Sequence, residues 1–308
     1  MIKSMASTLM ALGCASLLGA PVAHAEAKFH VYKHPVAIWV PPYAIPASKA
    51  ALTSSFGDTG PQNAITHLDL QFWTPTVQGG VAYAQDPGVN DAAVTDLRDW
   101  GHAHGIRVMM CVYNGAVKWD WPLARAAFTD HEKDFVKNLV NEMDRLDLDG
   151  VDIDLEGPGE TDKDKAVYVA FMTDLSQELR QRRKHLTADS FSYVWNAPNQ
   201  SWWPDLFPLV DGLTTMGYAD IGSGAADWAS YAAQKKAAGK FAAKLQVGVP
   251  SDKDPWQGNT ALEQLQWLQQ DGSMGIGIWD AQLPAAGWKT PEVWRAAQGV
   301  RDGKRQEK

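Results

Sequence analysis

The chain has 308 residues, of which 45% are hydrophobic and 21% charged, and carries a formal net charge of −8 at pH 7. Basic residues are scattered through an acidic chain, which excludes a nucleic-acid surface built on a positive patch, so no nucleic-acid partner is expected. At this length a hydrophobic core suffices without disulfides, and the only cysteines are Cys14 and Cys111.

The first residues have the form of an export signal. Lys3 supplies the positive start, Met5 to Leu18 an apolar run, and Ala23-His24-Ala25 a small-residue cleavage site before Glu26. Residues 1–25 are therefore read as a secretion signal and 26–308 as one domain, secreted or periplasmic. Loss of the signal removes Cys14 and leaves Cys111 alone, so an intrachain disulfide is not expected. No later apolar run approaches the roughly 20 residues needed for a membrane span.

Strand-length apolar runs then alternate with helical segments. The runs are Val36 to Val40, Ile65 to Phe72, Ile106 to Val112, Gly150 to Glu156, Phe191 to Trp195, Gly212 to Met216, Leu245 to Val249 and Met274 to Trp279. Helical periodicity covers Asp91 to His104, Asp130 to Leu146, Thr161 to Arg183, Ala225 to Ala238 and Thr260 to Gln270. Thr129 and Glu132 have the spacing of a capping box, and Phe135, Val136, Leu139, Val140, Met143 and Leu146 make one apolar stripe behind it. Pro41-Pro42, and no glycine fingerprint, follows the first strand. Eight β/α units in strict alternation predict the α/β class and a single (β/α)8 TIM barrel.

Asp149-Gly150-Val151-Asp152-Ile153-Asp154-Leu155-Glu156 carries the chemistry. A strand turns successive side chains to opposite faces, so Asp152, Asp154 and Glu156 share one side while Val151, Ile153 and Leu155 pack on the other. Crowded carboxylates cannot all ionise cheaply; protons are shared and at least one pKa rises, which suits a general acid. The bland alternative, acids around calcium or magnesium, fits a loop better than this alternation. Gly157, Pro158 and Gly159 end the strand, placing Glu156 at its carboxyl end, where parallel barrels keep their ligands. Asp149 has the opposite parity and reads as a structural acid.

In this setting DGVDIDLE matches throughout the DxxDxDxE signature of glycoside hydrolase family 18, the chitinases and endo-β-N-acetylglucosaminidases, which the chain resembles over nearly its whole mature length. Met216-Gly217-Tyr218 resembles the family's sixth-strand Met-x-Tyr segment, and Trp279 falls where the family keeps an eighth-strand tryptophan. Two departures are Tyr113-Asn114-Gly115-Ala116 in place of Ser-x-Gly-Gly, and Ala219 in place of an aspartate. The resemblance implies substrate-assisted hydrolysis with retained configuration, in which the sugar's N-acetyl oxygen attacks the anomeric carbon. Glu156 would protonate the leaving oxygen, Asp154 would hold the acetamido N–H, Asp152 would share a proton with Asp154, and Tyr218 would bond the acetyl carbonyl.

Trp279 is expected as the floor of the cleaved subsite, with Asn196, Met216, Asp220, Trp39 and Trp73 as further substrate contacts. Each has a plainer reading as packing or a turn cap, and Asp280, Trp202 and Trp203 are similarly ambiguous. His102 and His104 offer too few ligands for a metal, and Cys111 reads as a small buried hydrophobe. No metal or cofactor is expected, and the oligomeric state is not encoded. The expected partner is an N-acetylglucosamine-containing polysaccharide or glycan of chitin, chitobiose-core or peptidoglycan type; a lectin-like barrel without turnover is the alternative.

Overall fold

The computed structural model describes residues 29, 31–54, 56, 58–115, 119–158, 163–216 and 228–304. Its strands are β1 (Val36–Val40), β2 (His67–Pro75), β3 (Val81–Tyr83), β4 (Arg107–Tyr113), β5 (Gly150–Asp154), β6 (Gly157–Pro158), β7 (His185–Phe191), β8 (Asn196–Ala197), β9 (Gly212–Met216), β10 (Leu245–Pro250) and β11 (Gly275–Trp279). Its helices are α1 (Ile45–Leu52), α2 (Asp91–Ala103), α3 (Trp121–Thr129), α4 (Glu132–Arg145), α5 (Lys165–Gln181), α6 (Trp203–Leu206), α7 (Trp228–Ala238), α8 (Ala261–Asp271) and α9 (Pro291–Asp302). Because β1 pairs in parallel with both β2 and β11, the order β1-β11-β10-β9-β7-β5-β4-β2 closes into the expected eight-stranded parallel barrel. β3 folds back antiparallel on the end of β2, and β6 pairs with β8 in a separate ribbon.

Alternation along the strands divides the molecule into two interiors. Val36, Ile38 and Val40 of β1, Val108, Met110 and Val112 of β4, Val151 and Ile153 of β5, and Ile276 and Ile278 of β11 face outward into a core shared with the helices. The stripe Phe135, Val136, Leu139, Val140 and Met143 of α4 is buried in that core as its spacing requires. Ala37, Trp39 and Cys111 form a separate apolar group against Trp279, and polar residues His67, Asp69, Gln71, Asp152, Asp154, Thr187, Asp189 and Gln246 are buried with the opposite parity. Helices thus bury the hydrocarbon, while the barrel itself encloses carboxyls.

Three local expectations are corrected. The fifth barrel strand is His185–Phe191, not Phe191 to Trp195, whose last four residues form a bend. Aromatic and β-branched residues made the later segment strand-like, whereas inward Thr187 and Asp189 disguised the true strand. Thr129 does not cap α4: it ends α3, its hydroxyl donating to the Arg125 carbonyl, and His131 precedes α4 without a side-chain cap. A capping box is present at Thr260 and Glu263, where α8 begins. Trp73 shares the parity of Asp69 and Gln71, but a register shift between Gln71 and Trp73 reverses it. Its indole is therefore fully buried in the outer core, donating to Glu142 of α4 at 3.2 Å, and makes no part of a sugar subsite.

Candidate active site

The carboxyl ends of the strands enclose a cavity of about 270 Å³ lined by Trp39, Gln71, Trp119, Asp154, Glu156, Asp189, Phe191, Thr214, Met216 and Trp279. Of the expected site residues, Glu156, Asp154, Trp279, Met216 and Trp39 meet here. Asp152 lies deeper, beneath Trp39. Tyr218 and Asp220, and the departure at Ala219, lie outside the described residues. Asn196 sits on β8, donating to the Tyr193 hydroxyl at 3.4 Å, and is not among the residues lining the cavity.

Each acid has its own environment. Asp152 accepts from the Trp39 indole at 3.1 Å and from the Thr187 hydroxyl at 2.6 Å. Trp39 can cross the barrel at this level because β11 presents Gly277 there; a Cβ would press on Thr214 and on the Trp39 ring. Asp154 accepts from the Gln71 amide at 2.8 Å and is hydrogen-bonded to Glu156. Asp152 is 1% exposed and Asp154 3%, and burial raises both carboxyls above the usual range, Asp154 well above it, with Glu156 and Asp152 adding repulsion there. Glu156, partly exposed at the mouth, is pushed up to about 7 by desolvation, while its bond to Asp154 pulls the other way. A glutamic acid that keeps its proton near neutrality and reaches the cavity is equipped to protonate a leaving group.

Several functional groups escaped the sequence reading. Gln71 and Asp69 stand in His67-Leu68-Asp69-Leu70-Gln71, whose polar-in alternation repeats that of β5 and was open to detection. Asp189 was hidden by the misplaced fifth strand. Asn114, noted only as a departure, accepts from the Glu156 backbone N–H at 2.8 Å and donates to the Glu156 carbonyl at 2.7 Å. This buried side chain thus holds the catalytic candidate's backbone from both sides. Immediately after it, Gly157 lies so close to the Trp121 ring that no side chain fits.

Elsewhere the plainer readings hold. Asp149 accepts from the Val108 N–H at 2.8 Å and is 2.9 Å from His102 Nε2, tying β5 to its neighbours. Asp280 accepts from the Gln282 N–H and so caps a turn. Trp202 and Trp203 are fully buried. Among the described residues, Cys111 Sγ and one oxygen each of Asp154 and Asp189 lie within 4.8 Å of one another. Burial favours the protonated form of all three, which opposes a metal ion.

A closed (β/α)8 barrel with a glutamic acid raised to about 7 at its mouth, over a buried carboxyl pair, has the parts of an acid–base hydrolase of the glycoside-cleaving kind. The sequence model of Glycosyl hydrolases family 18 matches residues 50–301, and the chain belongs to that family. Among solved structures, a chitinase from Chromobacterium violaceum is 15% identical with a TM-score of 0.66, over 89% of this chain and 100% of that one. A class V chitinase from Pseudomonas fluorescens is 14% identical with a TM-score of 0.67, over 87% and 99%. The spore cortex-lytic enzyme SleL of Bacillus cereus is 11% identical with a TM-score of 0.63, over 87% and 76%. At these identities the likeness is one of fold. No curated protein matches the sequence significantly.

Proposed function

We propose that this glycoside hydrolase cleaves β-1,4-linked N-acetylglucosamine chains by substrate-assisted catalysis with retention, acting after export. The observation that carries the reading is Glu156, raised by burial to about 7 at the cavity mouth and hydrogen-bonded to Asp154, which is itself backed by Asp152. Glu156 gives its proton to the glycosidic oxygen as the C1–O bond breaks, and the substrate's acetamido oxygen closes on C1. Asp154 accepts the acetamido N–H and stabilises the positive charge of the ring so formed, with Asp152 taking the shared proton. Water then attacks C1 as the bond between C1 and the acetamido oxygen breaks and the acetamide is restored, and the water gives a proton to Glu156, so the acid is regenerated.

The cavity walls support a sugar ligand. Trp279 packs against the group that holds Trp39 and lines the cavity together with Asp154, so an aromatic surface is available to a sugar ring there. At the rim Trp119 is 48% exposed, and on the side of β7 Tyr193 stacks on Trp195, which is 54% exposed, with centroids 4.3 Å apart. Exposed aromatic rings after β4 and after β7 favour binding along a chain over enclosure of a chain end. The bonds from Asn114 to Glu156 favour turnover over a lectin, because they fix the backbone that carries the acid.

The test is to incubate mature protein and Glu156→Gln with chitooligosaccharides, chitobiose-core glycopeptides and peptidoglycan fragments, following products by mass and anomer by NMR. The expected outcome is cleavage of N-acetylated substrates by the wild type, β-anomer first, and binding without cleavage by the variant. Binding by both with cleavage by neither would establish the lectin instead. Amino-terminal sequencing of protein released by the producing cell should begin near Glu26.

A further inference from the structure

Asp189 has no place in the mechanism above, yet it lines the same cavity as Asp154 and Glu156. The register Ile153↔Ala188 between β5 and β7 brings it alongside Asp154, and Asp189↔Thr214 fixes its other side. It is 3% exposed, its Oδ1 has no hydrogen-bond partner, and its carboxyl is bonded to Asp152. Facing it are Asp69 of β2, Cys111 of β4, Asp152 and Asp154 of β5, Glu156 beyond β5, and the Tyr168 phenol of α5. β9 contributes Thr214 and Met216, which do not titrate. No lysine or arginine is among the lining residues, so five carboxyls share one enclosure without a countercharge.

Such a group cannot carry five charges, and protons must stay on the members farthest from water. The geometry points to Asp189 as a positioning residue of the catalytic chain: it keeps a proton, donates it in a hydrogen bond to Asp152, and so holds the mobile proton of the inner pair on Asp154 until substrate enters. No bond is made or broken at Asp189. Because the proton stays on Asp189 while Glu156 titrates, Asp189 acts on Glu156 only through its hydrogen bond to Asp152: without that donor the shared proton moves from Asp154 to Asp152, and the charge left on Asp154 makes Glu156 hold its proton to higher pH. This inference deepens the functional reading and rests on it for the identity of the chemistry.

Asp189→Asn keeps shape and a donor, so it should leave the pH profile in place with kcat reduced only several-fold. Asp189→Ala, which removes the donor, should lower kcat by roughly tenfold or more while KM changes little, and should move the basic limb of kcat/KM on a chitooligosaccharide to higher pH by on the order of half to one unit. A residue that merely packs would shift melting temperature and leave the pH profile in place in both variants. The parallel readout needs no substrate: carboxyl carbon NMR titration of labelled protein should show Glu156 losing its proton at higher pH in Asp189→Ala than in wild type and Asp189→Asn. Superimposable Glu156 titrations in wild type and Asp189→Ala would overturn the inference. If the wild type cleaves no N-acetylglucosamine substrate, the functional reading falls, while the titration still decides the role of Asp189.

Discussion

At the scale of single residues, the decisive quantity is the difference between Glu156 and the acids below it. Glu156 is the member nearest solvent, and burial still lifts it to about 7. Asp154 and Asp152 are almost wholly enclosed, and each can lower its charge only by holding or sharing a proton. A general acid must be protonated to act, so activity should fall as pH rises through the value for Glu156. The expected kcat/KM profile therefore has a basic limb with its midpoint near pH 7, set by the coupled Glu156–Asp154 pair. Glu156→Gln should lose about 10²–10⁴-fold in kcat and retain affinity measured by calorimetry. A basic limb above pH 9, or wild-type-like turnover by Glu156→Gln, would remove Glu156 from the role of acid.

At the scale of elements, the site depends on how the end of β5 is held. Glu156 lies two residues past the end of β5, and its backbone is pinned from the neighbouring strand by Asn114, just past β4. Asn114→Ala removes two hydrogen bonds from a buried position and leaves the Glu156 N–H and carbonyl to find others, at a cost of about 1–3 kcal/mol in stability. Misplacing the acid should cost more in turnover than in binding. The expected result is at least a roughly tenfold drop in kcat with oligosaccharide affinity little changed and a lowered melting temperature. Unchanged kcat in a destabilised Asn114→Ala would show the clamp to be structural only. The same elements show what a sequence reveals. The row Asp152, Asp154, Glu156 was legible because its two faces differ sharply, and the barrel followed from the count of alternating units. Asp189 and the path of Trp73 were not, for different reasons. A strand whose inward face is polar loses the apolar signal that marks it, and a bulge changes parity without changing composition. Asn114 was visible as a departure, but its partner is a backbone more than 40 residues away, which no local pattern encodes.

At the scale of the whole molecule, a barrel packed with acids trades stability for chemistry, and pH should expose the trade. Burial raises Asp69, Asp152, Asp154, Asp189 and Glu156 above their ordinary values. Between the ordinary carboxylate range and these raised values the folded chain keeps protons that the unfolded chain has released, so stability declines as pH rises through that window. Buried His34 and His67 and half-buried His185 act in the opposite sense, because desolvation lowers them: the unfolded chain binds the extra protons, and stability from this source rises with pH until their ordinary value near 6.5 is passed. Above about pH 7 the histidine contribution is complete and only the acids still act. Melting temperature should therefore fall between pH 7 and 9. The double variant Asp69→Asn with Asp189→Asn, which leaves Glu156, Asp154 and Asp152 in place, should melt higher than wild type at pH 8, and the gap should narrow as pH falls, closing only near the ordinary carboxylate value of about 4, where the unfolded chain takes up the same protons. Differential scanning calorimetry across this range decides the matter: a melting temperature flat or rising from pH 7 to 9 in the wild type would mean that the interior carboxyls are paired or hydrated well enough to ionise freely, and the electrostatic tension assigned to the barrel would not exist.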